Sequence, residues 1–335
     1  MKKLIIIAVC LCAWTSVWAQ KVDWHVDLGV DFDNRECDNV YCENRTEFLT
    51  RLQPEIGLKL PGGHRIAGGV AWIQPVGNGW RNYKLCPTVY YEFRNKLFHF
   101  AFGMLPRTKM MEEMPKYLMS DSLRRYQPNI RGLVFQYTKP HGYAEVMLDW
   151  RQLQSETQRE AFNININTRW RFGLWIVGGR LQINHLANVK NPPEDQSVND
   201  DITVNPYAGI DLSAATPLDT LSLEVGPLIN LERDRGSDKG WQIPVGAYVN
   251  IAAQWKGLGV RQSIYAGKNL YPLYHKLGAE LNMGEPYFQS PFYSRTDLYY
   301  KFFRIKYVTL ELALSFHAAE KSFGFRQMLT AQFHI

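Results

Sequence analysis

The sequence predicts an all-β chain, a transmembrane antiparallel up-and-down β-barrel of about sixteen strands. Three observations carry that prediction. Apolar and polar residues alternate along segment after segment, aromatics collect near segment ends, and the links between segments alternate between short and long. The composition agrees. Of 335 residues, 46% are hydrophobic and 13% aromatic, too apolar a chain to remain disordered. Mean hydropathy is −0.29, and beyond the first twenty residues no stretch approaches the ~20 consecutive apolar residues of a spanning helix.

In chain order, Lys2 and Lys3 precede an apolar run from Leu4 to Trp14 and then Val17-Trp18-Ala19. A basic start, a short apolar core and a small-residue site describe a secretory signal peptide. Residues 1–19 are therefore read as the leader and residues 20–335 as the barrel. The formal net charge of +6 falls when the two leader lysines are removed, and so mild a surplus without a basic run excludes a nucleic-acid partner. Cys37, Cys42 and Cys86 are the disulfide candidates. Cys37 and Cys42 share one polar loop and can pair locally, while either could instead bridge to Cys86 near the end of the next polar loop. No His/Cys spacing resembles a metal site, and no cofactor is implied.

The first strand alternates Trp24, Val26, Leu28, Val30 and Phe32 with Asp23, His25, Asp27, Gly29, Asp31 and Asp33. Phe162, Ile164, Ile166, Thr168 and Trp170 alternate in the same way with Asn163, Asn165, Asn167, Arg169 and Arg171. Near the end, Val308, Leu310, Leu312, Leu314 and Phe316 alternate with Thr309, Glu311, Ala313, Ser315 and His317. Period two marks strands with one apolar and one polar face. A soluble sandwich would turn the apolar face inward. An outer-membrane barrel turns it toward lipid. The length of the segments, the heavy charge of the polar face and the aromatics near segment ends (Trp24, Trp72, Trp150, Trp170, Trp175, Trp255, Phe302) favour the second arrangement.

Short links are read at Leu60–His64, Arg94–Leu97, Lys139–Gly142, Arg171–Leu174, Thr216–Thr220, Lys256–Gly259 and Ile305–Tyr307. Longer polar links are read at Asp33–Thr46, Pro75–Lys84, Arg107–Asn129, Leu153–Arg159, Ala187–Thr203, Glu232–Gly240, Leu270–Pro291 and Ala318–Phe323. The strict interleaving is the turn-and-loop asymmetry of outer-membrane barrels, whose strand number is even. The final segment, Phe323 to Ile335, alternates to the last residue and ends aromatic-x-hydrophobic.

Over the whole mature chain this pattern resembles a porin of the Gram-negative outer membrane. Gly103-Met-Leu-Pro-Arg107, the long link and Asn129-Ile-Arg-Gly132 are similar in layout to the third hairpin of porins. The resemblance implies an integral outer-membrane location and contact with the bilayer and lipopolysaccharide. It also implies a third loop folded inward to narrow the pore.

About sixteen strands would enclose an aqueous lumen. The charges assigned to it are Arg151, Arg169, Arg171 and Arg180 against Asp23, Asp27, Asp31 and Asp33, with Arg51 and Glu55 on the second strand. Such ladders either bias ion passage or pair across strands to hold the wall. The link Arg107–Asn129 mixes Met110, Met111, Met114 and Met119 with the charges of Arg107, Lys109, Glu112, Glu113, Lys116, Arg124 and Arg125, the make-up of a constriction or a partner surface. Glu194, Asp195, Asp200 and Asp201 read as a solvated acidic loop. Ser315 and His317 share a face but lack a third member, so no enzyme is expected. The leading expectation is passive diffusion of small hydrophilic solutes, by a homo-oligomer or a lone barrel. The alternative is a structural barrel with an occluded lumen, a subunit of a larger outer-membrane assembly or translocation complex.

Overall fold

The computed structural model describes residues 21–335 apart from Asp38. The expected leader, with its cleavage after Ala19, lies outside the described residues. Sixteen strands follow one another: β1 Lys21–Glu36, β2 Arg45–Leu60, β3 His64–Pro75, β4 Lys84–Arg94, β5 Phe98–Pro106, β6 Asn129–Lys139, β7 Gly142–Gln152 and β8 Ala161–Phe172 form the first half. The second half is β9 Trp175–Leu186, β10 Asn199–Asp211, β11 Thr220–Asp234, β12 Val245–Trp255, β13 Leu258–Gly267, β14 Phe292–Ile305, β15 Val308–Ala319 and β16 Ser322–His334. Each pairs antiparallel with its sequence neighbour, and β1 closes on β16, with Asp27 opposite His334 and Glu36 opposite Phe325. Closure satisfies every strand edge, which a sheet in lipid requires.

The turns follow local chemistry. Lys256 and Gly257, with φ of 47° and 95°, make the two-residue connection of β12 and β13, the mirror-image turn that matches strand twist. Three readings shift. Ala318–Phe323 is not a longer loop: β15 and β16 join through Glu320 and Lys321 alone. Asp200 and Asp201 belong to β10 rather than to an acidic loop, and Cys86 lies within β4. In each case the flanking residues can extend a ladder, and pairing outweighs local polarity. Cys37 and Cys42 form a disulfide with Cα atoms 5.6 Å apart, and Cys86 is a free thiol.

The outer wall is apolar and exposed, as at Trp24, Ile56, Val89, Phe102, Trp175 and Leu298. The inner wall is polar, yet buried. Glu145, Asn163, Gln182, Asn230 and Glu232 are each at most 1% exposed. A water-filled lumen would leave them wet, so chain fills it.

Two long loops do the filling. The third loop, residues 107–128, carries a six-residue helix α1, Asp121–Tyr126, whose N-cap Ser120 accepts from the Leu123 N–H. The seventh loop, residues 268–291, meets it: Ser120 N–H donates to Met283 O at 2.8 Å, and Glu285 N–H to Lys116 O at 2.8 Å. Tyr117, Leu118 and Met119 of one loop and Leu270, Tyr271, Met283 and Phe288 of the other form an apolar core with Leu105, Ile130, Met147, Tyr248 and Tyr293 of the wall. Tyr117 packs edge-on against Tyr248 at 4.9 Å, and Phe288 against Tyr293 at 5.0 Å. Such aromatic pairs contribute about 0.5–1.5 kcal/mol each beyond the area they bury.

An ionic hub anchors this plug. Asp121 Oδ2 sits 2.7 Å from Arg326 Nη1 and 2.9 Å from Arg295 Nη1, and Oδ1 sits 2.6 Å from Lys116 Nζ. Arg326 also grips Asp33 at 2.5 and 2.7 Å, where Arg35 and Arg125 converge. Burial alone would raise the Asp121 carboxyl. Arg295, Lys116, Arg326 and Arg124 instead hold it well below the usual carboxylate range.

Replacing Leu298, midway along the lipid face of β14, by Arg should destabilise the barrel by about 2–4 kcal/mol, measured by denaturant unfolding from lipid vesicles. Asp121→Asn removes one of two carboxylates from each of two buried guanidinium groups, leaving Arg295 with Asp297 and Arg326 with Asp33, and should cost about 1–3 kcal/mol in the same measurement. The folded carboxyl titrates below its unfolded value, so its stabilisation is complete above about pH 4 and fades as pH falls further. The gap between the two proteins should therefore narrow only below that pH.

Candidate functional site

The arginines expected to tune a pore are engaged. Arg169 pairs with Glu224, and Arg180 reaches Glu224 at 3.0 Å while lying 4.2 Å over the Tyr207 ring. Arg171 pairs with Asp211, and Arg151 donates to Glu280 O of the seventh loop at 2.7 Å. Glu55 accepts from Arg65 and from Tyr90 Oη at 2.9 and 2.7 Å. On the third loop Arg107 pairs with Asp149 at 2.7 Å, Lys109 with Glu92 at 2.9 Å, Lys116 with Asp121, Arg124 with Glu113, and Arg125 with Asp33. Glu112 lies 3.8 Å from Arg169 and 4.0 Å from Arg180.

Two cavities among the described residues bear on the site. A cavity of about 490 Å³ at the turn end is lined by Asp23, His25, Lys59, Arg65, Glu92 and Lys109. A second, of about 430 Å³, separates the third loop from β1, β2 and β16 and has Asp27, Asp31 and Arg51 in its wall.

Catalysis by proton transfer needs an oriented acid or base. Among the described residues, three histidines lie within about 3 Å of a carboxylate. His99 faces Glu92 at 2.8 Å and is buried inside the barrel. His334 faces Asp27 at 2.5 Å at the inner turn end. His185 Nδ1 lies 3.1 Å from Asp200 Oδ1, and its setting differs. Alternation with the fully buried Asn184 and Leu186 puts His185 on the outer face at the loop end of β9, 23% exposed. Ser315 donates to Asp297 at 2.5 Å and His317 contacts Tyr293 Oη at 2.8 Å, so those two do not address each other, and both are sealed within the wall.

Around His185 the outer wall builds a site. The ring packs tilted against Phe162 at 5.0 Å, and Phe162 stacks on Trp150 at 5.2 Å. Arg235 grips both Asp200 oxygens at 2.8 and 2.9 Å, and Arg233 donates to Asp200 at 2.9 Å. The Arg233 guanidinium also lies 4.5 Å over Trp241, with Nε buried and lacking an acceptor among the described residues. Two guanidinium groups and an imidazole thus surround one carboxylate, framed by aromatic rings at the loop end of the outer wall. The sequence reading missed this cluster. The signal was available in the outward phase of His185, Asp200 and Arg233, three polar residues at the loop ends of adjacent strands β9, β10 and β11.

Comparisons with known proteins place the chain. Solved structures with similar folds are a loop L8 deletion mutant of OmpT, an outer membrane protein of Vibrio cholerae, and an anion-selective porin from Comamonas acidovorans. The first shares 10% identity at a TM-score of 0.56, covering 95% of this chain and 100% of that one. The second shares 9% at 0.56, covering 94% and 100%. A Salmonella typhi OmpF complex with daunomycin matches at 10% and 0.53, covering 94% and 98%. At such identities the likeness is one of fold, and with the closed barrel it makes this an integral protein of the outer membrane, in contact with bilayer lipid and lipopolysaccharide. No curated protein sequence matches. The sequence pattern of a family described as Lipid A 3'-O-deacylase-type matches residues 17–334. That match overturns the expectation of a protein that is not an enzyme. A barrel pattern alone carries no catalytic signature, because alternation fixes the wall and leaves the chemistry to single outward side chains. By that match, over nearly its whole length, the chain belongs to the Lipid A 3'-O-deacylase-type family.

Proposed function

We propose that this protein is an outer-membrane hydrolase that removes an ester-linked acyl chain from lipopolysaccharide, working on the outer surface of a plugged barrel. The observation that carries this reading is the lipid-facing His185–Asp200 pair at the loop end of β9 and β10. Lipopolysaccharide occupies the leaflet at that end of the wall, whereas His99 and His334 sit where it does not reach. The family's name supplies the bond type.

The chemistry follows from the residues. Asp200 orients the imidazole through Nδ1, leaving Nε2 to accept a proton from water. Water adds to the acyl carbonyl carbon as its proton passes to His185. The acyl–oxygen bond then breaks, and the proton goes to the departing sugar hydroxyl. A carboxylic acid and a free hydroxyl result. Arg233 and Arg235 present positive charge to the lipid phosphates and to negative charge developing on the acyl oxygen. Trp150, Phe162 and Trp241 give the acyl chains an apolar shelf.

The filled lumen weighs against resting diffusion of small hydrophilic solutes. It would suit a structural subunit of an assembly as well, and the His185 cluster is what favours the hydrolase. Purified protein mixed with lipopolysaccharide should release fatty acid, with the matching mass loss in lipid A by mass spectrometry. His185→Ala should slow release about 10²–10⁴-fold, the usual worth of a positioned acid–base group, with the folded barrel retained. Wild-type protein that leaves lipid A intact would reject the hydrolase, and a fully active His185→Ala variant would reject the site. In planar bilayers the wild type should show no steady conductance, and a stable open channel would restore the diffusion reading.

A further inference from the structure

The 430 Å³ cavity beneath the third loop lies on the other side of the wall from the His185 cluster and takes no part in the chemistry above. It is lined by four acids, Asp27, Asp31, Glu112 and Glu113, and four arginines, Arg51, Arg107, Arg124 and Arg125. Most are committed to partners already: Arg107 to Asp149, Arg124 to Glu113, Arg125 to Asp33, Asp27 to His334, and Glu112 to the edge of Arg169.

Two charges are left over. Arg51 makes no hydrogen bond or ion pair among the described residues. Asp31 accepts a single hydrogen bond, from Thr330 Oγ1 at 3.1 Å, and has no ion pair among the described residues, with Arg124, itself bound to Glu113, within electrostatic reach. They lie on the inner faces of adjacent strands, with Arg51 opposite Gly29 and Asp31 opposite Leu49. That diagonal relation separates side-chain origins by roughly 7–8 Å, and the pair does not close on itself.

Gly29 explains where Arg51 rests. A Cβ at position 29 would stand 3.3 Å from Arg51 Nη2 and 3.5 Å from Nε, so the missing side chain is the bed on which the guanidinium lies. Opposite, Met110, Met111 and Met114 of the third loop provide a thioether wall. Methionine adapts to side chains of different shape. Asp27 and His334, at 36% and 49% exposure, leave one side of the cavity open to solvent.

We propose that this cavity binds a small zwitterion with an apolar side chain, of the α-amino-acid class. Arg51 takes the carboxylate in a forked pair. Asp31 takes the ammonium, and the methionines take the side chain. A simple anion would leave Asp31 repelling it, and a simple cation would meet Arg51. A molecule carrying both charges satisfies both walls.

The test is isothermal titration calorimetry on the full-length barrel in detergent, with L-methionine as the probe. N-acetyl-L-methionine, which lacks the ammonium, and L-methioninamide, which lacks the carboxylate, are the comparison ligands. L-Methionine should bind, and each capped form should bind at least tenfold more weakly. Arg51→Gln and Asp31→Asn should each lose at least tenfold toward L-methionine. Gly29→Ala, which keeps every charge and only lifts the guanidinium from its bed, should weaken binding too, and heat-modifiable migration on gels would verify that each variant is folded. No heat from L-methionine up to 10 mM, or equal binding of the capped forms, would overturn the proposal. So would full affinity in all three variants. None of these outcomes bears on fatty-acid release from lipopolysaccharide, so the site and the hydrolase stand or fall separately.

Discussion

The constraint on which the rest depends is that a sixteen-stranded barrel has a wide interior, and this one lines much of it with polar groups that water does not reach. A buried amide or carboxylate without a partner costs on the order of 1–3 kcal/mol or more. The two inward loops exist in that light as a supply of partners. Asn230 Nδ2 donates to Leu270 O at 2.8 Å, Glu232 accepts from the Leu273 N–H at 2.6 Å, Gln136 donates to Lys109 O at 2.7 Å, and Glu145 accepts from the Met111 N–H at 2.8 Å. The wall and the plug complete each other's hydrogen bonds.

Asp121 concentrates this dependence. It lies on the short helix α1 of the third loop, and the helix brings its carboxylate between Arg295 of β14 and Arg326 of β16. Those strands lie far from β5 and β6, where the loop begins and ends. The contact therefore spans the lumen and fixes the loop at its far end. Since Arg326 also holds Asp33 of β1, the hub straddles the seam where the last strand meets the first. Closure of the barrel and seating of the plug share the same charges.

The fold was legible because period two is a direct consequence of strand geometry. Trp24, Val26 and Leu28 could be set outward and Asp23, Asp27 and Asp31 inward without knowing any contact. The destination of the charges was not legible, because alternation says which face a residue takes and nothing about what stands opposite. Arg169, Arg171 and Arg180 look alike in sequence, and only the register shows that Glu224 and Asp211 meet them. The third loop's inward fold came from resemblance, whereas its bond to the seventh loop joins residues as far apart in sequence as Ser120 and Met283, beyond any local pattern. His185 escaped notice for a related reason. One histidine at the end of a strand is unremarkable until β10 and β11 bring Asp200 and Arg233 beside it.

Asp200 and Asp201 show how one wall can serve two purposes. They are consecutive, so the strand turns them to opposite faces. Asp201 looks inward and accepts from Asn184 Nδ2 at 2.6 Å in the packed interior. Asp200 looks outward into the arginine and histidine cluster. A membrane barrel with an open lumen needs its inner face for passage, and mobility there is tolerable. A barrel that does chemistry on lipid needs its outer face held still, because a shift of an ångström in a catalytic contact is expensive. Filling the lumen stiffens the wall from behind at β8 to β11, where Gln182 donates toward Leu118 O and Asn163 toward the sulfur of Met283. The plug thereby gives the lipid-facing side chains a rigid support, which is what the proposed hydrolase would need from a porin-like fold.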